Sequence, residues 1–142
     1  MRSVFVFLKE ASEPEVATFL SANYLFWPET SRWMAEKEGD PVLYIDFYHD
    51  FNIEGEVEEW FALLEFFGGE PVVIVGADVA TRYDGIAEVS SFVCGLLRAF
   101  NGVASDDYTF HLWSCSEIEA NVEVEGHPFF DTLGRYHIGP SV

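Results

Sequence analysis

Gly68-Gly69-Glu70-Pro71-Val72-Val73-Ile74-Val75 is the stretch whose reading decides the fold. A glycine pair that stops a helix is followed at once by a continuous β-branched run, the pattern of a central strand covered on both faces. Upstream, Val57, Trp60, Phe61, Leu64 and Phe67 fall at i, i+3, i+4, i+7 and i+10, which predicts a helix over Glu54–Phe67. Glu54, Glu58, Glu59 and Glu65 mostly occupy its other face, three of them near the N-terminus, where the helix dipole favours anions. Downstream, Ile86, Val89, Val93, Leu96, Leu97 and Phe100 form one apolar stripe, predicting a helix over about 86–100 that stops at Asn101-Gly102.

Working outward, residues 2–8 alternate and branch like a buried strand. Ser12-Glu13-Pro14-Glu15 then supplies an N-cap, a proline inside the first turn and the capping-box glutamate, so a helix over about 13–23 is expected, with Val16, Phe19 and Leu20 on its apolar face. Tyr24 to Ala35 is rich in aromatics and interrupted by Pro28, which suggests a loop and an edge strand. Pro41–Tyr48 reads as a strand with Leu43, Ile45 and Phe47 on one side and Tyr44, Asp46 and Tyr48 on the other. Tyr108–Trp113 is expected to be the last strand, Ser116-Glu117-Ile118 to begin a short helix, and the Gly- and Pro-containing remainder to be surface loop. The class is therefore α+β: one domain over residues 1–142, a two-layer sandwich with a mixed β-sheet and helices mainly on one face. Its order over residues 2–80 predicts a ferredoxin-like β-α-β-β-α-β start, with a further α-β unit added.

With hydrophobic residues at 49% and aromatics at 17%, the chain has ample material for a core. Its formal net charge is −18, divided almost evenly between the two halves. From Glu38 to Thr81 there is no Lys or Arg but eleven carboxylates: Glu38, Asp40, Asp46, Asp50, Glu54, Glu56, Glu58, Glu59, Glu65, Glu70 and Asp78. Such a surface repels DNA, RNA and anionic lipid and attracts basic proteins, raising their encounter rate. The apolar run in Met1–Lys9 is too short for a signal peptide's hydrophobic region, and no stretch approaches membrane-spanning length. Cys94 lies within an apolar helical pattern and Cys115 between two serines, which reads as two reduced thiols in a cytoplasmic protein, one bridge remaining open.

Motifs for catalysis are missing: no Gly-x-Ser-x-Gly elbow, no phosphate-binding glycine-rich loop, no His-Glu-x-x-His and no Cys-x-x-Cys. The chain is accordingly read as a non-enzyme without a cofactor or metal. Asp106, Asp107 and His111 have a spacing that a metal site could use, although an alternating strand explains His111 without one. The loop after the central strand offers Asp78, Arg82 and Asp84 as polar anchors for a small ligand. The structural reading, preferred here, is that Asp84-Gly85 turns the chain and caps the next helix while Arg82 neutralises nearby carboxylates. Of the tryptophans, Trp60 reads as core, whereas Trp27, Trp33 and Trp113 suit either a core or an interface. Tyr44 and Tyr48, sharing a strand face with Asp46, suit an interface as well as burial under a helix.

Gly68 to Val75, Phe100-Asn101-Gly102-Val103-Ala104-Ser105-Asp106-Asp107-Tyr108 through His111-Leu112-Trp113-Ser114, and Gly126-His127-Pro128-Phe129-Phe130-Asp131 resemble stretches of small acidic immunity proteins from bacterial toxin–immunity systems of the polymorphic-toxin and contact-dependent-inhibition type. The resemblance implies a cytoplasmic antidote that binds a cognate toxin domain. The charge points to a basic, nuclease-type toxin, whose phosphate-binding surface an acidic inhibitor can occupy. Candidate toxin-binding residues are Asp46, Tyr48, Asp50, Glu54, Glu58 and Glu59 around the strand-to-helix turn, then Asp106 and Asp107. Two other classes stay open: a small-ligand-binding domain or enzyme using Asp78, Arg82 and Asp84, and an acidic regulator that mimics nucleic acid.

Overall fold

The computed structural model describes residues 2–49, 61, 64–66, 68–69, 73–109 and 111–131. In chain order these form β1 (Arg2–Leu8), α1 (Glu13–Asn23), β2 (Leu25–Trp27), β3 (Arg32–Lys37), β4 (Asp40–Phe47), β5 (Val73–Val79), α2 (Ile86–Ala99), β6 (Gly102–Asp106) and α3 (Cys115–Glu119). Of the helix expected over 54–67, residues 61 and 64–66 are helical and the others lie outside the described residues.

The six strands make one sheet in the order β2-β3-β4-β5-β1-β6, with every neighbouring pair antiparallel. The class is α+β, as the alternation of periods requires, but the sheet is antiparallel throughout rather than mixed. β1 and β4 run in the same direction with β5 between them, and β5 and β6 do so with β1 between them. Each such pair is joined through a helix, α1 or α2, so two split β-α-β connections interleave. The ferredoxin-like start expected over residues 2–80 is not found, because three strands rather than two follow α1. Residues 24–35 hold the difference: β2 and β3 form a hairpin, Leu25 opposite Met34 and Trp27 opposite Arg32, that extends the sheet beyond β4.

The strand expected over Tyr108–Trp113 is also displaced. β6 starts at Gly102, directly after α2, where a Cβ would stand 2.1 Å from the carbonyl oxygen of Phe7. Only glycine permits this approach, so the Asn101-Gly102 pair that ends the helix also starts a strand. Asp106 then turns the chain away by accepting the N–H groups of Tyr108 and Thr109, leaving Trp113 as an isolated bridge to Ala104.

Alternation along the strands sorts the side chains onto two faces. Val4, Val6 and Leu8 of β1, Leu43 and Ile45 of β4, and Val73, Val75 and Val79 of β5 pack with Val16 and Leu20 of α1 and Val89, Phe92, Val93 and Leu96 of α2. All these residues are almost wholly buried, each side chain stabilising the fold by about 1.5–3 kcal/mol before entropic costs. Trp33, Trp113 and Phe130 complete this core. α1 begins as its sequence dictates: the Ser12 hydroxyl accepts the Glu15 N–H while the Glu15 carboxylate accepts the Ser12 N–H at 3.1 Å. The opposite face of the sheet carries a smaller apolar group, Phe7 and Val103 with Phe5, Tyr48, Ile74 and Leu112 packed on it, and beyond that group turns polar.

Candidate functional site

On this second face, β4 presents Tyr44 and Asp46, and Tyr48 follows them. The register sets Tyr44 opposite Asp78 and Asp46 opposite Gly76 on β5, and then Asp78 opposite Ser3 and Gly76 opposite Phe5 on β1. Residues facing each other across antiparallel strands share a sheet face, so two cross-strand rows arise, one from Asp46 through Gly76 to Phe5 and one from Tyr44 through Asp78 to Ser3. Gly76 contributes no side chain, and a cleft of about 160 Å³ opens over it, lined by Phe5, Arg32, Tyr44, Asp46, Phe47, Tyr48, Gly76 and Asp78. A Cβ at Gly76 would lie 3.2 Å from the Phe5 ring, so even the smallest added side chain would crowd this floor. Phe5 meets Tyr48 edge to face at a centroid separation of 5.0 Å, which fixes one aromatic wall.

The carboxylates around the cleft are held by short-range partners. Asp46 Oδ1 accepts the N–H of Phe47 at 2.8 Å, and Asp46 Oδ2 lies 3.5 Å from the Arg32 guanidinium. The Ser3 hydroxyl donates to Asp78 Oδ1 at 2.6 Å, and the Ser3 N–H donates to Asp107 Oδ2 at 2.8 Å, so one serine links two acidic residues. Burial pushes the Asp107 carboxyl above its ordinary value; the Ser3 N–H opposes this, and the charge of Asp78 adds to it. Beside these groups, β2 places Leu25 and Trp27 on the same face through their pairing with Met34 and Arg32. Both are exposed, at 54% and 39%. An acidic cleft thus adjoins an apolar rim at the sheet edge, the combination of charge and aromatic anchor found in protein interfaces.

Asp46, Tyr48 and Asp107 therefore belong to one face, whereas Asp50, Glu54, Glu58 and Glu59 lie outside the described residues. Asp106, expected to meet a partner, differs from its neighbour. It is only 7% exposed, and its carboxylate accepts the N–H groups of Tyr108, Thr109 and Phe130, so it anchors the chain internally and cannot offer charge to a partner. Burial raises its pKa, and the three N–H donors offset part of that rise. His111 turns instead to Glu117 at 3.0 Å, and Asp106, Asp107 and His111 do not converge. Among the described residues no group of three His, Cys, Asp or Glu side chains is placed to hold a metal.

The loop after β5 follows the structural reading. Asp84 accepts the N–H of Ile86 at the start of α2, Arg82 sits 3.5 Å from Asp40, and Tyr83 donates its hydroxyl to Asp40 at 2.9 Å. The guanidinium of Arg2, at the start of β1, donates to the carbonyl oxygens of Ala80, Tyr83 and Asp84. Asp78 points to the second face with Ser3, so Asp78, Arg82 and Asp84 serve three separate places. A further hollow of about 290 Å³ among Tyr24, Ala35, Ala87, Glu88 and Ser91 is broad and carries one charged group. Cys94 is buried with a free thiol that lies 3.9 Å from the Cys115 carbonyl oxygen.

Gly76, Phe5, Ser3 and Arg32 were not legible as site residues, because their contacts arise from sheet order. The one available signal was Gly76 inside a β-branched run, a mark of close approach or missing cover. No helix among the described residues is long and apolar enough to cross a membrane. Compared with protein-family models, with curated proteins and with solved structures, the chain gives no match.

Proposed function

We propose that this chain is an immunity-type inhibitor, which docks a cationic toxin domain onto the second face of its sheet and blocks the toxin's substrate surface. The observation that supports the reading is that Asp46 and Asp78 share cross-strand rows with Tyr44, Trp27 and Leu25 beside Tyr48, with Asp107 joined to the far side through Ser3, on an antiparallel scaffold whose net charge is −18. Long-range attraction speeds the encounter, and aromatic burial at the rim slows dissociation. A nuclease-type toxin fits best, since it must present positive charge to phosphates. The setting proposed is the cytoplasm of the producing cell, where the antidote meets newly made toxin. An acidic regulator of a nucleic-acid-binding host protein would use the same surface, and the test separates the two.

The partner that co-purifies at low salt from the native cell is expressed alone and together with this chain. A partner lethal alone and harmless in co-expression supports the reading, provided that Asp46→Lys with Asp78→Lys restores lethality and lowers the association rate about tenfold or more. A partner harmless by itself, or rescue that is unchanged in the charge-reversed protein, overturns it.

A further inference from the structure

Among the polar and apolar features of the second face, the cleft over Gly76 has the most constrained chemistry. Its volume of about 160 Å³ is below the roughly 300 Å³ at which pockets begin to take drug-sized molecules, so it fits one side chain rather than a metabolite. Its walls are aromatic, Phe5, Tyr44 and Tyr48, and its rim carries Asp46 and Asp78 from adjacent strands. Both carboxylates keep acceptor capacity: Asp46 meets one N–H and one guanidinium nitrogen, and Ser3 takes Oδ1 of Asp78. Aromatic faces beside carboxylates stabilise a planar cation through ring quadrupole and charge together, whereas an anion would meet uncompensated repulsion. The molecule's own Arg32 lines the same cleft, with its guanidinium against Asp46.

We infer that the cleft over Gly76 is a receptor for a single arginine side chain of the docking partner, with Asp78 as its carboxylate and the Phe5–Tyr48 pair as its wall. This rests on the docking reading above, whose anchor it specifies. Arginine suits the site better than lysine because a flat guanidinium can both lie on a ring and donate through two N–H groups to one carboxylate.

The probe is N-acetylarginine amide, with N-acetylcitrulline amide as the neutral isostere, each titrated into ¹⁵N-labelled protein while the amide resonances of Phe47, Gly76 and Asp78 are followed. Saturable shifts at these positions with the arginine probe are expected, at least about tenfold weaker with citrulline. Gly76→Val, which fills the cleft floor, is expected to abolish them, and Asp78→Asn, which preserves shape, to weaken them about fivefold or more. Linear shifts spread over the whole acidic surface, equal binding of both probes, or full retention in Asp78→Asn would overturn the assignment. Loss of arginine binding alongside intact rescue of the lethal partner would remove the cleft and leave the docking face. Specific arginine binding without any rescued toxin would do the reverse.

Discussion

Asp106→Asn exchanges one oxygen for nitrogen and keeps the side chain's shape, so its cost isolates what the carboxylate does. In the native protein Oδ1 accepts from Tyr108 and Thr109 at 3.1 and 3.2 Å, and Oδ2 accepts from Phe130 at 2.6 Å. An asparagine that keeps its oxygen toward Tyr108 and Thr109 sets an NH₂ against the Phe130 N–H, donor against donor. The flipped amide satisfies Phe130 and orphans the other two. No orientation escapes, and the loss of a hydrogen bond to a charged acceptor in a buried site costs about 1.5–3 kcal/mol. For a urea m-value of about 1–3 kcal/mol/M, the unfolding midpoint should fall by on the order of 1 M with m unchanged. Hydrogen exchange should quicken at Phe130 along with Tyr108 and Thr109, because one side chain ties the turn after β6 to the segment near residue 130. A loss under about 0.5 kcal/mol, or faster exchange at the turn alone, would refute the argument. Partner association should stay unchanged, opposite to the result for Asp46 and Asp78.

Four further outcomes are expected. Ser12→Ala removes the cap of α1 and should cost about 1 kcal/mol in urea unfolding, without altering the cleft. Gly102→Ala drives a Cβ into the Phe7 carbonyl oxygen and should cost about 3 kcal/mol or prevent folding, read as loss of soluble yield and of thermal stability. Asp106 and Asp107 have folded pKa values raised above their unfolded ones, so the folded state takes up protons first. Stability contributed by these groups is present at low pH and is lost as pH rises through the raised values, so acidification through those values should add to Tm in the native protein. Glu117, lowered despite a desolvation penalty by its bonds to Ser114 and His111, acts oppositely and loses its contribution only below its ordinary carboxyl range. A Tm that depends on acidification equally in the native protein and in Asp106→Asn would contradict this assignment. Burial first, and then its neighbour Cys115, pushes the Cys94 thiol up to about 12, so iodoacetamide at pH 8 should leave Cys94 unmodified in the native protein and alkylate it in urea.

Much of the architecture was readable where one period dominated. α1 carried its capping box in four residues, α2 its apolar stripe, and β4 an alternation from Leu43 onward that already placed Tyr44, Asp46 and Tyr48 on a common face. Within residues 24–35 an edge strand was expected and is present, but that two strands pair there was not legible, because Leu25, Phe26 and Trp27 are all exposed and show no alternation to read. β6 escaped because Val103-Ala104-Ser105 offers little bulk and Gly102 looks like a stop, while Tyr108, Leu112 and Trp113 imitate a strand although Tyr108 and Trp113 pack in the main core and Leu112 on the second face. The site divides in the same way. Members contributed by one strand could be predicted from alternation, but the company of Ser3, Phe5 and Gly76 depends on β1 and β5 being neighbours, which no local pattern states. Asp106 and Asp107 are equal in sequence, and only the turn after β6 sends one carboxylate inward and the other to Ser3.

The two margins of the sheet are finished unequally. Beyond β6, Ala104 and Trp113 exchange both backbone hydrogen bonds, at 2.9 and 2.7 Å, so that flank is already occupied by the chain itself. At the other margin β2 is the last strand among the described residues, three residues long, with all its side chains exposed. Lateral growth of the sheet, whether onto a foreign segment or into an aggregate, is thus polar: it proceeds from the β2 flank. The like charge of neighbouring molecules opposes self-addition there, and added salt weakens that opposition, so concentrated stocks should keep best in dilute buffer.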